Sequence, residues 1–326
     1  MKLSNKKVLI TGGAGFIGSN LIERFLQQDN EIICLDNLSN GKLKNIEPYL
    51  KNPNFRFIEG DIRDIDICRE AVKNVDVVLH QAALGSVPRS IHDPKTTNDV
   101  NIGGFVNMLV AVKDAGIKRF VYAASSSTYG DHAALPKIEE RIGKPLSPYA
   151  ITKYVNELYA EIFAGLYGIE TIGLRYFNVF GRRQDAEGAY AAAIPKFIKS
   201  LIKHESPLIY GDGFQSRDFT YIDNVIQANE LAATAHKPEA LNTVYNVAYG
   251  GATTVNELIE VLKENLSRFD PEIAKVEAVK GEMRQGDILH SLAAIDKAKR
   301  LLGYDPKYDI ARGLKEAIDW YWEDLK

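Results

Sequence analysis

The run Val8-Leu-Ile-Thr-Gly-Gly-Ala-Gly-Phe-Ile-Gly18 joins a short apolar segment to the start of a helical pattern. Its glycines Gly12, Gly15 and Gly18 permit a tight turn, a close approach of the backbone to a pyrophosphate, and close packing of a helix on a strand. The free amides and the positive dipole end at the start of a helix suit phosphate oxygens. A glycine-rich turn that binds nothing can share this spacing, so the flanking sequence must separate the two interpretations.

A carboxylate at the end of the next predicted strand favours the dinucleotide interpretation. Lys7–Thr11 and Glu31–Asp36 have the composition of strands, and Gly15–Gln28 between them has helical periodicity. Asp36 then ends the second strand, where it can accept hydrogen bonds from both ribose hydroxyls and would repel a 2′-phosphate. The sequence therefore predicts NAD, rather than NADP, as the cofactor.

Beyond Asp36, apolar runs of strand length continue to alternate with helical patterns. The predicted strands are Phe55–Gly60, Val75–Gln81, Arg119–Ala124 and Glu170–Tyr176, and the predicted helices are Ile65–Val72, Asn98–Ala115 and Pro148–Tyr167. This alternation predicts an α/β fold, a Rossmann-type doubly wound parallel sheet with a smaller C-terminal α/β substrate domain. We place the NAD-binding domain at residues 1–175 and the substrate domain at 176–326, with some segments of the latter returning to the first sheet.

Composition excludes several classes of protein. The 326 residues are 45% hydrophobic and 25% charged, and the net charge of −3 argues against a nucleic-acid partner. No apolar run approaches the roughly 20 residues that span a bilayer, and the start lacks the apolar core of a signal peptide. Cys34 and Cys68 form no disulfide or metal motif and the six histidines are scattered, so we expect no metal, no membrane contact and a cytoplasmic location.

The segment Pro148-Tyr-Ala-Ile-Thr-Lys-Tyr154 carries the predicted chemistry. Ser147 suits a helix N-cap and Pro148 the first turn, so Tyr149 and Lys153 lie four residues apart on one helix face. A tyrosine is a poor base at its ordinary pKa near 10, but a neighbouring ammonium and a positive nicotinamide would favour the phenolate. An exposed pair is the alternative, because a chain with 16 tyrosines gives such a match by chance.

The serines Ser125-Ser126-Ser127, which follow a predicted strand, favour the catalytic interpretation of this pair. A serine at a strand end can hydrogen-bond a substrate hydroxyl or carbonyl beside the tyrosine. Serines in a turn more often cap a helix, so the triplet alone would mean little. Taken with Tyr149 and Lys153, it predicts a hydride-transfer site.

These motifs resemble the extended short-chain dehydrogenase/reductase family, and within it the nucleotide-sugar 4-epimerases. The resemblance covers nearly the whole chain, through the segments TGGAGFIG, GDIRD (Gly60–Asp64), QAALGSVPRSI (Gln81–Ile91), SSSTYG, SPYAITKY, LRYFNVFGRR (Leu174–Arg183), SRDFTYIDN (Ser216–Asn224) and MRQGDILHS (Met283–Ser291). The likeness is greatest to bacterial UDP-N-acetylglucosamine 4-epimerases that supply N-acetylgalactosamine or its uronic acid for surface polysaccharide.

The resemblance implies catalytic residues Tyr149, Lys153 and Ser125, with NAD as the cofactor and a UDP-sugar as the substrate. Cofactor contacts are expected at Gly12, Gly15, Phe16, Ile17, Gly18, Asp36, Asn37, Ser39, Gly41, Asp61, Ile62, Gln81, Ala82, Ala83, Asn101, Ser125, Tyr149, Lys153 and Tyr176. Substrate contacts are expected at Gly85, Ser86, Ser125, Ser126, Ser127, Tyr149, Asn178, Ala192, Ala193, Phe197, Leu208, Tyr210, Arg217, Arg284, Asp287 and Ser291.

Several of these residues take specific roles from the family. Asn178, Arg217 and Arg284 match residues that contact the diphosphate, for which an arginine fork is well suited. Asp287 matches the carboxylate that holds the uridine ribose, and Leu208 to Tyr210 should lie against the uracil.

Departures from related branches narrow the expected substrate. Ser126-Ser127 stand where the dehydratase branch has an Asp-Glu pair, so no acid is present to expel water. Galactose-type epimerases often carry a lysine near Gly85 and a tyrosine at the position of Ser291, whereas both residues are small here. The pocket should therefore admit an N-acetyl group, which predicts UDP-N-acetylglucosamine 4-epimerase activity. The alternatives are a 4-epimerase of UDP-galactose or UDP-galacturonate, and an NAD-sensing binding protein without catalysis.

We also expect a homodimer through helices 98–115 and 148–167, which the family uses as a four-helix interface. Both helices have apolar residues on more than one face, namely Ile102, Phe105, Val106, Leu109 and Val112 on the first, and Val155, Leu158, Ile162 and Phe163 on the second.

Overall fold

A parallel sheet forms the centre of the computed structural model, which describes residues 2–186, 192–282 and 289–326. The strands in these ranges are, in chain order, β1 (Lys7–Thr11), β2 (Glu31–Asp36), β3 (Phe55–Glu59), β4 (Val77–His80), β5 (Arg119–Ser125), β6 (Glu170–Tyr176), β7 (Val179–Phe180), β8 (Leu208–Tyr210), β9 (Ser216–Arg217), β10 (Thr220–Tyr221), β11 (Thr243–Val247), β12 (Thr253–Thr254) and β13 (Val279–Gly281).

The helices lie between these strands and after them. They are α1 (Phe16–Leu26), α2 (Ile65–Ala71), α3 (Val87–His92), α4 (Pro94–Asn98), α5 (Phe105–Asp114), α6 (Pro148–Tyr167), α7 (Ala193–Ile202), α8 (Ile222–Thr234), α9 (Val255–Leu266), α10 (Asp296–Leu302) and α11 (Ile310–Leu325). Short 3₁₀ turns occur at Leu43–Asn45, Glu47–Tyr49, Ser126–Tyr129, Pro238–Ala240 and Pro271–Lys275. No helix in the described part of the chain has the length and apolar character that a membrane crossing needs.

The central sheet has seven strands within the described residues, in the order β11-β6-β5-β4-β1-β2-β3, and every neighbouring pair is parallel. The chain runs outward from β1 to β3 on one side, then crosses back to β4 and continues outward on the other. The reversal places a crevice between the carboxyl ends of β1 and β4, where open α/β sheets bind their ligands.

Two hydrophobic clusters cover the two faces of the sheet. Alternate residues of β1 divide between them: Val8 and Ile10 face one cluster, which includes residues of α1 and α8, and Leu9 faces the other, which includes residues of α2 and α5. Near-continuous apolar strands are expected when a sheet is buried on both faces. The predicted Rossmann-type doubly wound fold is confirmed, and the predicted strand ends differ from the observed ends by at most two residues.

The helix predicted at Asn98–Ala115 is not a single regular helix. Asp99–Gly104 form a π-helical stretch between α4 and α5. Its residue Asn101 is buried and hydrogen-bonds the backbone of Leu84 in both directions, at 2.8 and 3.3 Å. A wide turn of this kind often re-aims a side chain near a functional site, and here it directs Asn101 toward the segment that follows β4.

The elements after β6 are distributed between the central sheet and three small ones. β11 adds to β6 at the edge of the central sheet, and the remaining strands form the pairs β7–β10, β8–β13 and β9–β12. The division into domains at residue 175 stays a prediction.

Candidate active site

A cavity of about 1070 Å³ opens at the carboxyl ends of the central strands. Most of the residues predicted to contact the cofactor line it: Gly12, Gly15, Phe16, Ile17, Gly18, Asp36, Asn37, Ser39, Gly41, Asp61, Ile62, Gln81, Ala82, Ala83, Ser125, Tyr149, Lys153 and Tyr176. The walls thus combine the glycine loop, the ends of five further strands and the start of α6.

Gly12 and Gly18 of the glycine loop line the cavity and add no side chain to it. Gly12 has a φ of +67°, and a Cβ there would lie 2.7 Å from the backbone nitrogen of Ala82. A Cβ at Gly18 would lie 2.2 Å from the backbone oxygen of Gly12. The turn is therefore in direct contact with both the β4 end and the first turn of α1, and it leaves space for a pyrophosphate. These residues fit NAD.

Asp36 lies at the end of β2 with its carboxylate fixed by the glycine loop. One oxygen accepts from the Ala14 amide at 2.9 Å and the other from the Leu38 amide at 2.8 Å. Burial raises the pKa of Asp36, and the two backbone hydrogen bonds oppose the rise. Each carboxylate oxygen can accept a further donor, so the pair suits the two hydroxyls of a ribose.

Asp61, predicted to contact the cofactor, lies in a polar cluster at the end of β3. Its carboxylate accepts hydrogen bonds from the Arg63 guanidinium at 2.7 and 3.0 Å and from the Asn37 amide at 2.7 Å. Hydrogen bonding by Arg63 is the largest influence on this carboxyl and lowers its pKa to about 2. Asp61 is thus ionised and oriented at the rim of the cavity.

The end of β4 is held by a small buried network. The hydroxyl of Thr11 lies 2.9 Å from Nδ1 of His80 and accepts from the Ala82 amide at 3.2 Å. Burial lowers the pKa of His80 to about 3, aided by the positive charge of Lys153, so the ring is neutral at pH 7. The Thr11 proton is therefore free to point toward His80, and Ala82 is fixed beside Gly12.

Ser125 ends β5 and faces the cavity. Its hydroxyl oxygen accepts from the backbone amide of Ser127 at 3.2 Å and lies 2.9 Å from the Ser127 hydroxyl. Ser126 also lines the cavity, whereas Ser127 supports Ser125 from behind. With Ser127 as donor, the Ser125 proton remains available to another acceptor.

Tyr149 and Lys153 lie in the first turns of α6, where Tyr149 is half-buried and Lys153 is buried. Burial raises the pKa of Tyr149, and side-chain hydrogen bonding with Ser125 opposes the rise. The Lys153 Nζ donates to the Ala123 carbonyl at 2.8 Å. Burial lowers the pKa of Lys153 to about 8, with the negative charge of Glu157 acting in the other direction. The ammonium is thus the major form of Lys153 at pH 7.

Two further predicted residues lie around this centre. Tyr176, at the end of β6, donates from its hydroxyl to the side chain of Gln81 at 3.1 Å, so two cavity residues are fixed to each other. Asn101 does not line the cavity. It lies behind the segment after β4, where its amide also donates to the Thr152 hydroxyl of α6 at 3.1 Å.

The predicted substrate residues divide into two groups. Gly85, Ser86, Asn178 and Ala192 line the cavity together with Ser125, Ser126 and Tyr149. Leu208, Tyr210, Arg217, Ser291, Ala193 and Phe197 do not line it, and Phe197 packs in the core on α7. Arg284 and Asp287 lie outside the described residues.

Arg217 and Ser291 are nevertheless neighbours of one another. Ser291 donates its backbone amide to the oxygen of Ser216 at 3.1 Å, and the Arg217 guanidinium donates to the same oxygen at 3.0 Å. Arg217 also donates to the Leu289 carbonyl at 3.2 Å. The structure therefore brings Arg217 and Ser291, which are far apart in the chain, together beside β9.

Several cavity residues were missed by sequence reasoning. Lys42 and Asp185, which are far apart in the chain, form an ion pair at 2.6 Å and both line the cavity. Arg183 lines it too and pairs with Glu23 of α1 at 3.0 Å. Arg183 could have been identified from the sequence, because it ends the segment Leu174–Arg183, which carries part of the family resemblance. Neither Lys42 nor Asp185 belongs to a motif, so nothing in the local sequence marks them.

Comparisons with known proteins agree with this geometry. The model of the NAD dependent epimerase/dehydratase family matches residues 8–248. The chain is 38% identical to a putative UDP-glucose 4-epimerase of Methanocaldococcus jannaschii, over 96% of this chain and 97% of that protein. Solved structures of related epimerases contain NAD.

Two solved structures resemble the whole chain. The UDP-N-acetylglucosamine 4-epimerase from Methanobrevibacter ruminantium M1, in complex with UDP-N-acetylmuramic acid, is 39% identical with a TM-score of 0.91, covering 99% of this chain and 100% of that one. The UDP-glucose 4-epimerase of Thermotoga maritima with UDP-glucose is 35% identical with a TM-score of 0.89, covering 98% and 100%. The predicted family and cofactor are confirmed: this chain belongs to the NAD-dependent epimerase/dehydratase family, within the extended short-chain dehydrogenases/reductases, and its relatives there include UDP-sugar 4-epimerases.

Proposed function

We propose that this protein is a UDP-N-acetylglucosamine 4-epimerase that interconverts UDP-GlcNAc and UDP-GalNAc. The observation that carries the proposal is the arrangement of Ser125, Tyr149 and Lys153 in the same cavity as the glycine loop and Asp36. Asp36 and Gly12–Gly18 would hold a dinucleotide in the same cavity that the three catalytic candidates line.

The residues of the chain supply the proton transfer. When bound, NAD provides an acceptor for the hydride of the sugar C4 and later a donor to the opposite face. Tyr149, as the phenolate, takes the proton from the 4-hydroxyl and returns it to the C4 oxygen at the end of the cycle. The 4-keto sugar turns over between the two transfers while its UDP remains anchored.

Two neighbours favour the phenolate that this step needs. Burial opposes ionisation of Tyr149, so the charge must be compensated locally. Lys153 supplies a positive charge one helical turn away, and Ser125 supplies a hydrogen bond. Because Ser127 donates to Ser125 at 2.9 Å, the Ser125 proton can be directed toward the tyrosine or the sugar oxygen.

Small residues support the N-acetylated sugar. Among the described atoms, none lies within 4 Å of a Cβ built at Gly85, which lines the cavity. Ser291 is half-buried beside Arg217 and does not line the cavity; the family resemblance is what implies that the C2 substituent of the sugar lies next to it. The relative from Methanobrevibacter ruminantium M1 is named for the same activity, which also supports the proposal. The product would suit the synthesis of surface polysaccharide.

We also propose a homodimer formed mainly through α6. Exposed apolar side chains follow one side of this helix: Ile151, Leu158, Tyr159, Ile162, Leu166 and Tyr167. Phe163 of α6 is buried and cannot support this interface. The argument from the preceding helix was also partly wrong, because Phe105, Leu109 and Val112 are buried in the core against the sheet. Its contribution reduces to the half-buried Ile102 and Val106.

The test is incubation of the purified protein with UDP-GlcNAc and no added NAD, followed by separation of the UDP-sugars. We expect UDP-GalNAc in the wild type and none with Tyr149→Phe. Parallel incubations use UDP-glucose, UDP-galactose and UDP-galacturonate. If only one of these sugars is converted, that sugar replaces UDP-GlcNAc as the proposed substrate. A protein that contains NAD and converts none of them would instead be an NAD-sensing binding protein.

A further inference from the structure

A buried ion pair lies one helical turn beyond the catalytic lysine. Arg175 of β6 donates from Nε to Oε1 of Glu157 at 2.9 Å and from Nη2 to Oε2 at 2.7 Å. The side chains are only 3% and 9% exposed, respectively. This is the parallel two-bond geometry that arginine forms with a carboxylate.

The guanidinium of Arg175 has two further contacts. Its Nη1 donates to the Glu139 carbonyl at 3.0 Å, and its guanidinium lies 4.9 Å from the centre of the Tyr129 ring. A buried ion pair is weak evidence for stability, because removing two charges from water costs about as much as their attraction returns. A pair this well ordered, next to a catalytic residue, therefore calls for a functional explanation.

Glu157 follows Lys153 by four residues on α6, so the two side chains lie on the same helix face. Both are buried, and the negative charge of Glu157 acts on Lys153. The other groups around the lysine do not supply a negative charge: His80 from β4 is neutral at pH 7, and the Ala123 carbonyl accepts a hydrogen bond only. Tyr149, on the same face, is the group whose ionisation the lysine assists.

We propose that Glu157, fixed by Arg175, is a positioning residue that keeps the buried Lys153 charged and oriented for proton transfer at Tyr149. The inference rests on the proposed function, since it assigns Lys153 the task of stabilising the Tyr149 phenolate. Arg175 holds the Glu157 carboxylate in one rotamer through its two hydrogen bonds. Without Glu157, the ammonium would remain in an apolar interior with a carbonyl as its hydrogen-bond partner.

The experiment titrates Lys153 directly in the purified, NAD-containing protein. Lysine labelled with ¹³C at Cε is incorporated, and the Lys153 resonance is identified by its loss in Lys153→Arg. We expect Glu157→Gln to lower the Lys153 midpoint by about one pH unit, as removal of a nearby opposite charge does. The alkaline limb of kcat should move to lower pH by a similar amount, with KM unchanged.

Glu161→Gln is the matched control, because Glu161 is exposed on the same helix one turn further on. It should leave the midpoint unchanged, and Glu157→Asp should restore most of the wild-type value. A midpoint that is the same in Glu157→Gln and the wild type would overturn the proposal. An equal shift in Glu161→Gln would overturn it too, because the Lys153 midpoint would then depend on the net charge of the protein and not on Glu157 in particular.

Should Glu157→Gln fail to fold, the double variant Glu157→Gln, Arg175→Gln replaces the ion pair with two neutral amides and removes the uncompensated buried arginine. A smaller fall in the Lys153 midpoint is expected in it, because the positive charge of Arg175 is removed together with the nearer negative charge of Glu157, and an unchanged midpoint would overturn the proposal. The titration does not require turnover. A shifted midpoint in a protein that converts no UDP-sugar would reject the proposed epimerase activity while retaining the effect of Glu157 on Lys153.

Discussion

The Nζ atom of Lys153 lies 2.8 Å from the backbone oxygen of Ala123, two residues before Ser125. This contact ties the second turn of α6 to the end of β5. Because α6 is one rigid helix, the same contact sets the position of Tyr149 relative to Ser125. The catalytic group is thus assembled from a strand end and a helix face, joined by the Lys153–Ala123 hydrogen bond and by side-chain hydrogen bonding between Ser125 and Tyr149.

Replacing Tyr149 by Phe should lower kcat at least about 100-fold while UDP binding stays within a factor of two or so, because the proton-carrying oxygen alone is removed. Initial rates and UDP titration measure the two effects. Tyr159→Phe, an exposed position on the same helix, is the control and should keep wild-type turnover. A Tyr149→Phe enzyme with more than about a tenth of wild-type kcat would show that another group is the base.

Purified wild-type protein should retain NAD(H) through a desalting column, because the cofactor is recycled in each turnover and lies in a preformed cavity. Gly18→Ala should abolish this retention, since its Cβ would lie 2.2 Å from the Gly12 oxygen and displace the loop. Denaturation followed by an assay of released dinucleotide gives the content. Gly165→Ala, where no described atom lies within 4 Å of the added carbon, should retain a full complement. Equal content in the two variants would contradict the role of the loop.

The oligomer should dissociate when charge is placed on the exposed face of α6. Ile162 and Leu166 are 57% and 69% exposed in the single chain, so Ile162→Glu with Leu166→Glu costs little in the monomer and disrupts an apolar interface. Light scattering should give about twice the chain mass of 36.3 kDa for the wild type and about that mass for the variant. Leu50→Glu, at a position that is 45% exposed and lies outside α6, should remain dimeric. A monomeric wild type would refute the dimer.

The choice of sugar should depend on Ser291. A tyrosine there would occupy the space that we assign to the acetamide, so Ser291→Tyr should reduce activity on UDP-GlcNAc at least about tenfold more than activity on UDP-glucose. The ratio of the two kcat/KM values measures this. Leu289→Tyr adds a similar ring at an exposed neighbouring position and should leave the ratio unchanged. An unchanged ratio in Ser291→Tyr would remove the main argument for the N-acetylated substrate.

Local sequence was sufficient for the fold and for the residues at strand and helix ends. Parallel strands buried on both faces are continuous apolar runs, and a turn that must leave room for phosphate needs glycine, so Val8–Gly18 and Asp36 are recognisable without a structure. The spacing of Tyr149 and Lys153 is likewise a property of one helix. These features depend on backbone conformation and periodicity, which neighbouring residues determine.

The tertiary structure decided what surrounds those residues. Lys42 and Asp185, or Glu157 and Arg175, meet because separate elements pack together, and no period in the chain relates their positions. The π-helical turn that carries Asn101 is decided in the same way, by hydrogen bonds between Asn101 and the backbone of Leu84, which belongs to the segment after β4. Side-chain environment, and with it the charge state of Lys153, is a property of long-range packing: burial lowers its pKa, whereas the sequence shows only that a lysine is present.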